Sequence, residues 1–246
     1  MDCWNHVGGT YSGNFKIEIM KKLVVLGGGK SGIGAALLAK KNDWNVFVSD
    51  KGIITDKEVL TNNDIKWEEG SHSENEILSA DEIVKSPGIP DGIKIIQLAK
   101  ENRIPVISEV EFAYRYTNAK IVAISGSNGK TTTTLLVGHI LKNAGYDVLV
   151  TGNIGTGFAR SILERDYDYI VLELSSFQLD GIVDFKADVA IILNITPDHL
   201  DRYNNDFQLY VKSKLKITNK QEKKDFLIYN IDDENIKNHI ETSGRK

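Results

Sequence analysis

Seven consecutive residues, Gly126-Ser127-Asn128-Gly129-Lys130-Thr131-Thr132, carry the most explicit chemistry in the chain. Successive backbone N–H groups in a glycine-bearing loop present fixed positive partial charge, and a helix that starts at the loop adds the field of its N-terminus. Lys130 supplies a mobile cation, and the Thr131 hydroxyl is a ligand for Mg²⁺. These are the needs of a triphosphate, so ATP with magnesium is the expected ligand. The general phosphate-loop pattern has a further glycine five residues before Gly129, where this chain has Ile124, so the loop is a shortened variant.

A second glycine group, Gly27-x-Gly29-x-x-Gly32, lies between an apolar run and a helix-forming run. Such glycines let the backbone approach a diphosphate, and an acid about 20 residues on, here Asp50, holds a ribose hydroxyl. The same glycines would also serve a tight strand-to-helix turn and nothing more. The spacing does not name the nucleotide, because NAD and a UDP-sugar both offer a diphosphate and a ribose.

Three further positions carry ionisable groups. Glu173 sits inside the apolar run Tyr169 to Leu174, at a strand end, where it is either a magnesium ligand or a satisfied structural acid. Asn194-Ile195-Thr196-Pro197-Asp198-His199-Leu200-Asp201-Arg202 follows another apolar run, so His199 is either a metal or substrate contact or a structural histidine. Lys212, Lys214 and Lys216 fall in a helix expected over Phe207 to Thr218, and composition alone makes them solvated lysines.

The elements that must position these groups alternate. Strands are expected at Leu23 to Leu26, Val46 to Val48, Glu82 to Lys85 and Pro105 to Ile107, with helices at Ile33 to Lys41 and Ile93 to Asn102. A second series has strands at Ile121 to Ser125, Asp147 to Val150, Tyr169 to Leu174, Val189 to Leu193 and Phe226 to Tyr229, with a helix at Thr131 to Ala144. The pattern predicts an α/β protein: an N-terminal Rossmann-like parallel sheet over residues 20–115, then a phosphate-loop ATPase α/β domain over residues 116–246. Residues 1–19 are polar and aperiodic and read as an unstructured extension, with Met20 as the natural start.

Composition narrows the function. A formal charge of -4 with no polybasic run argues against a nucleic-acid partner. The single cysteine, Cys3, leaves no internal disulfide and no zinc cluster, which fits a reducing cytoplasm. No apolar run reaches the ~20 residues that span a bilayer, so no membrane partner is expected.

Taken together, GSNGKTT, LELSSFQL over Leu172 to Leu179 and NITPDHLDRY over Asn194 to Tyr203 closely resemble the Mur ligases of peptidoglycan synthesis. SPGIP at Ser86 to Pro90 and GNIG at Gly152 to Gly155 extend the likeness, and SSFQL points to the member that adds D-glutamate to UDP-N-acetylmuramoyl-L-alanine. The resemblance implies a three-domain enzyme in which ATP phosphorylates the substrate carboxylate and the amine of D-glutamate attacks the acyl phosphate. It implies that Gly126 to Thr132, namely Gly126, Ser127, Asn128, Gly129, Lys130, Thr131 and Thr132, wrap the ATP phosphates. Thr131 and Glu173 would serve one Mg²⁺, and His199 a second. Lys214 matches a family lysine that is carbamylated and bears on that second ion, so Lys130, His199 and Lys214 are the expected catalytic residues. Gly29, Lys30, Ser31, Asp50, Lys51 and Asn153 take the matching positions for the UDP substrate. A monomer is expected.

The resemblance departs in length. Complete relatives continue with the rest of the central domain and a C-terminal domain, so the chain reads as a fragment or a truncated product without ligase turnover of its own. The alternatives are a related ligase for another amino acid, an inactive nucleotide-binding module, or an NAD-linked oxidoreductase, which leaves GSNGKTT unexplained.

Overall fold

The computed structural model describes residues 20–242, and the extension expected at residues 1–19 lies outside them. The first part runs β1 (Lys22–Leu26), α1 (Lys30–Lys41), β2 (Asn45–Asp50), α2 (Lys57–Asn62), β3 (Lys66–Glu69), α3 (Glu74–Leu78), β4 (Glu82–Lys85), α4 (Lys94–Glu101), β5 (Val106–Ser108) and α5 (Glu109–Tyr114). The second runs β6 (Lys120–Ser125), α6 (Lys130–Asn143), β7 (Val148–Gly152), α7 (Phe158–Ser161), β8 (Tyr169–Glu173), α8 (Ser176–Asp180), β9 (Val189–Ile192), α9 (Phe207–Leu215), β10 (Phe226–Tyr229) and α10 (Glu234–Thr242). A 3-10 turn, Leu200–Tyr203, precedes α9.

Each part builds one five-stranded parallel sheet, ordered β3-β2-β1-β4-β5 and β10-β9-β6-β8-β7. Helices on both faces leave a central parallel strand no wet side, which is why β1 reads KLVVL with its last four residues buried. In each sheet the connections leave the first strand in one direction and later return to its other side. The loops after β1 and β6 therefore open at the crevices where ligands of such sheets bind.

The sequence reading misses one strand of the first sheet. β3 is KWEE, an edge strand pairing Phe47 with Lys66 and Asp50 with Glu69, and its edge position lets polar residues fill it without an apolar run. The polar stretch near the end of the chain holds another unannounced element: α10 buries Ile236 and Ile240, one turn apart, on an otherwise polar helix.

One face of each sheet packs into a common hydrophobic core, while the other face has a cluster of its own. A single cluster of buried residues contains Leu23, Val25 and Val48 of the first sheet and Ile121, Ala123 and Leu172 of the second. Helices α1 and α7 meet closely: a Cβ at Gly34 would stand 2.9 Å from the backbone nitrogen of Arg160. Helix α5 is fastened to both sides. One Glu111 carboxylate oxygen accepts the backbone N–H groups of Val183, Asp184 and Phe185 at 2.8, 3.0 and 2.9 Å. One turn further on, Arg115 grips Glu82 of β4 through both guanidinium NH₂ nitrogens, at 2.7 and 3.0 Å.

Candidate functional site

The loop from Gly126 to Gly129 leaves the buried end of β6 and turns into α6 at Lys130. Asn194, just past β9, clasps it. The Asn194 carbonyl accepts from Ser127 N–H at 2.9 Å, its side-chain oxygen from Asn128 N–H at 2.8 Å, and its side-chain NH₂ donates to the Asn128 carbonyl at 3.1 Å. The Ser127 hydroxyl donates to Thr196 O at 2.9 Å and lies 3.1 Å from the Tyr210 hydroxyl. Asn194 is in a motif the sequence displays, but nothing in the sequence marks it as the clasp. Tyr210 carries no signal at all.

Two lysines converge on one carbonyl of this loop. Lys130 Nζ donates to Gly126 O and Ser127 O, both at 2.9 Å, and Lys214 Nζ donates to the same Gly126 O at 2.8 Å. The solvated Lys214 expected from composition is thus corrected: its residue is only 2% exposed. Tyr210, Val211 and Leu215 bury the same face of α9, and the lysine stem goes inward with them while Lys212 stays outside. Burial, reinforced by the Lys130 charge and opposed by Asp198, pushes the Lys214 ammonium down to about 7.

Glu173 ends β8 almost fully buried, and both its oxygens are in use. One accepts the Thr131 hydroxyl at 2.6 Å and the other the Asn153 NH₂ at 2.9 Å, while Asn153 N–H donates to the Glu173 carbonyl at 2.8 Å. Thr131 at the start of α6, Glu173 at the end of β8 and Asn153 after β7 therefore form a row along the strand ends. Thr132, next along α6, is exposed.

His199 stands elsewhere. Its backbone is left-handed, φ 49°, at the head of the 3-10 turn, and its ring packs against Phe177 with centroids 5.3 Å apart. Nε2 is 3.5 Å from Asp198. No hydrogen bond or ion pair joins His199 to Thr131, Glu173 or Lys214.

Among the described residues, no group of three or more His, Cys, Asp or Glu is arranged to hold a metal ion. Magnesium with a nucleotide does not need one: it takes one or two protein oxygens and fills its octahedron with phosphate oxygens and water. The Glu173 carboxylate and Thr131 hydroxyl, hard oxygens in mutual contact beside a phosphate-type loop, suit that demand.

In the first sheet, Asp50 does not stand free at its strand end. Its two oxygens accept Gly28 N–H at 2.6 Å and Gly52 N–H at 2.7 Å, so it pins the loop after β1 to the loop after β2. Gly32 fits the closest approach of α1 to that first loop, since a Cβ there would lie 1.8 Å from the Gly27 carbonyl oxygen. Gly29, Lys30 and Lys51 are exposed and Ser31 half-buried. The loop that begins at Asn153 reaches this group: a Cβ at Gly157 would be 3.5 Å from Ser31 Cα. The crevices of the two sheets thus adjoin. Beneath the junction lies Glu109, fully buried, accepting Ala159 N–H at 2.5 Å with one oxygen and leaving the other unpartnered among the described residues. Burial pushes this carboxyl up to about 7 against the pull of the Ala159 and Phe158 N–H groups.

A family model described as the Mur ligase middle domain matches residues 124–246, and one described as the MurD N-terminal domain matches residues 22–93. The chain belongs to the Mur ligase family. Among curated relatives, the UDP-N-acetylmuramoylalanine--D-glutamate ligase of Bacteroides fragilis is 52% identical over 227 residues, covering 92% of this chain and 51% of the relative. The enzyme of that name from Porphyromonas gingivalis is 54% identical over 213 residues, covering 86% and 47%. The chain spans about half the length of these relatives. A solved Neisseria meningitides UDP-N-acetylmuramate:L-alanyl-gamma-D-glutamyl-meso-diaminopimelate ligase is similar in fold, with a TM-score of 0.63 at 18% identity, covering 91% of this chain and 75% of that one. The Thermotoga maritima UDP-N-acetylmuramate-alanine ligase gives 0.53 at 24% identity, covering 88% and 50%. The Mur ligase fold of two parallel-sheet α/β units is therefore the architecture seen here.

Proposed function

We propose that this chain is the nucleotide-handling part of an ATP-dependent ligase that joins D-glutamate to UDP-N-acetylmuramoyl-L-alanine through an acyl phosphate. The observation that carries the proposal is the row Thr131-Glu173-Asn153 beside a loop on which Lys130 and Lys214 converge. The curated relatives named for this reaction supply the substrate.

In this reading residues 20–115 hold the UDP end, through Gly29, Lys30, Ser31 and Lys51 on loops that Asp50 braces, and Asn153 meets the substrate from the second sheet. Residues 116–246 hold ATP, its phosphates lying along Gly126 to Thr132. Glu173 and Thr131 would hold Mg²⁺, which would supply charge neutralisation during phosphoryl transfer. Lys130 swings from the Gly126 and Ser127 carbonyls to the phosphates and adds a second positive charge there. The substrate carboxylate oxygen attacks the γ-phosphorus and ADP departs; the amine of D-glutamate then attacks the acyl carbon, phosphate leaves, and the amine gives up a proton.

Lys214 takes a different part. An amine that titrates near neutrality is substantially unprotonated in the cell, and only the free amine adds CO₂. The carbamate, formed with release of one proton, would be an anionic oxygen ligand suited, with His199, to a second Mg²⁺ in a way an ammonium is not. The protein works as a cytoplasmic monomer, with no nucleic-acid or membrane partner.

Calorimetric titration of the chain with ATP, with and without Mg²⁺, tests the reading. Binding that requires Mg²⁺ in the wild type, and that weakens ~10-fold or more in Glu173→Gln and Lys130→Ala, is expected. Magnesium-independent binding, or binding of NAD in place of UDP and ATP, would overturn it.

A further inference from the structure

The site described above has a bolt across it. Arg202, in the 3-10 turn of the second unit, reaches to the loop that follows β4 in the first. Its guanidinium donates to three successive carbonyls there, Pro87 at 3.3 Å, Gly88 at 3.4 Å and Ile89 at 3.4 Å. The Cζ of the same guanidinium lies over the Phe177 ring, 4.5 Å from its centroid. Phe177 is in turn the ring against which His199 packs, and it stacks on Tyr203 at 6.0 Å with an interplanar angle of 10°.

The two ends of this chain of contacts are both consequential. The Pro87–Ile89 loop belongs to the crevice of the first sheet: Ser86 N–H donates to Leu26 O, and a Cβ at Gly27 would collide with the Ser86 hydroxyl at 2.4 Å. The loop is thus anchored at Ser86 to the strand end and glycine turn of the first sheet. At the other end the 3-10 turn is bracketed by left-handed backbone, His199 before it and Asn204 and Asn205 after it, at φ 49°, 55° and 58°. His and Asn take such angles more readily than most non-glycine residues, so they suit both ends of the turn. Below the turn the Tyr203 hydroxyl is tied to Asp180 at 2.9 Å and Ser213 at 3.2 Å. Above it, Arg202 is the residue that spans to the other sheet. A guanidinium is suited to this, since it presents a planar fork in its edge and a stacking surface on its face.

We infer that Arg202 is a positioning residue that couples the nucleotide crevice of the first sheet to the His199 ring. When the first crevice fills, the loop after β4 sets, its three carbonyls fix the guanidinium, the guanidinium fixes Phe177, and Phe177 sets the imidazole that leans on it. The inference rests on the proposed UDP site, and it gives that site a consequence at the second sheet.

The test uses UDP, which lacks the muramyl part, added to the chain without magnesium or ATP. The His199 ring resonance, assigned by its disappearance in His199→Gln, is followed by NMR while UDP affinity is read from the same titration. The expected result is a His199 shift that saturates with UDP in the wild type and is lost in Arg202→Ala, with UDP binding retained. Arg202→Lys, which keeps the charge and most of the stem but not the fork or the stacking plane, is expected to fold and to lose the shift as well. UDP binding with an unmoved His199 in the wild type, or an intact shift in either variant, overturns the coupling and leaves the proposed function standing. Failure of UDP to bind the wild type overturns both.

Discussion

Lys214 shows how far a residue's chemistry depends on what packs around it. As an exposed lysine it would be inert at neutral pH, whereas buried against Gly126 O and facing Lys130 it titrates at about 7. Carbon-13-labelled bicarbonate should give a carbamate NMR signal in the wild type that is absent in Lys214→Arg, because a guanidinium stays protonated and does not add CO₂. Glu109 is the complementary case. Its folded-state value of about 7 lies above the ordinary 4.5, so the folded protein binds a proton that the unfolded chain releases. Stability from this group is full below the ordinary value and is lost as pH rises towards the folded one. Glu109→Gln should therefore flatten the decline in denaturant stability between about pH 5 and about pH 8, a difference on the order of 3 kcal/mol. The strand, loop and helix around GSNGKTT were legible from sequence because an apolar run, a glycine turn and a helix-forming run are specified locally. The burial of Lys214 was not, since α9 reveals its inward face only when docked, and the role proposed for it comes from resemblance to the family. Asp50 lies between these cases: its position at a strand end was legible, but its grip on Gly28 and Gly52 was not.

At the scale of elements, α5 matters more than its six residues suggest. Its Glu111 carboxylate oxygen is the shared acceptor for three consecutive backbone N–H groups at the end of the α8 loop, and Arg115 one turn on holds β4. Removing that acceptor leaves three donors without it, the buried Phe185 N–H among them, so Glu111→Ala should cost ~2 kcal/mol in chemical denaturation. Glu111→Gln, which keeps one acceptor oxygen, should cost less. The strands of the core were legible because apolar runs in parallel sheets are hard to mistake. The edge strand β3 and helix α10 were not, because an element that buries one side only, or only Ile236 and Ile240, leaves little periodic trace over so few residues.

The whole molecule behaves as one cooperative body if its core is continuous. Buried residues of both sheets belong to one cluster, and α1 lies so close to α7 that Gly34 has no room for a side chain. The wild type should unfold in a single transition by circular dichroism and by tryptophan fluorescence alike. Gly34→Leu should wedge the helices apart at a cost of ~1–3 kcal/mol and separate the two probes, because all the tryptophans of the described residues, Trp44 and Trp67, report on the first sheet.

The Gly126 carbonyl is served by two lysine amino groups, one from the start of α6 and one from α9. Such an arrangement is redundant, and redundancy hides the worth of each member: whichever lysine is deleted, the other still tethers the loop. Lys130→Ala and Lys214→Ala should each disturb the thermal stability of the nucleotide-free protein less than half as much as the pair together, a synergistic epistasis that only the double variant in a thermal-melt cycle exposes. For a protein diverging by single substitutions, the loop is thus buffered against the first loss and acutely exposed to the second.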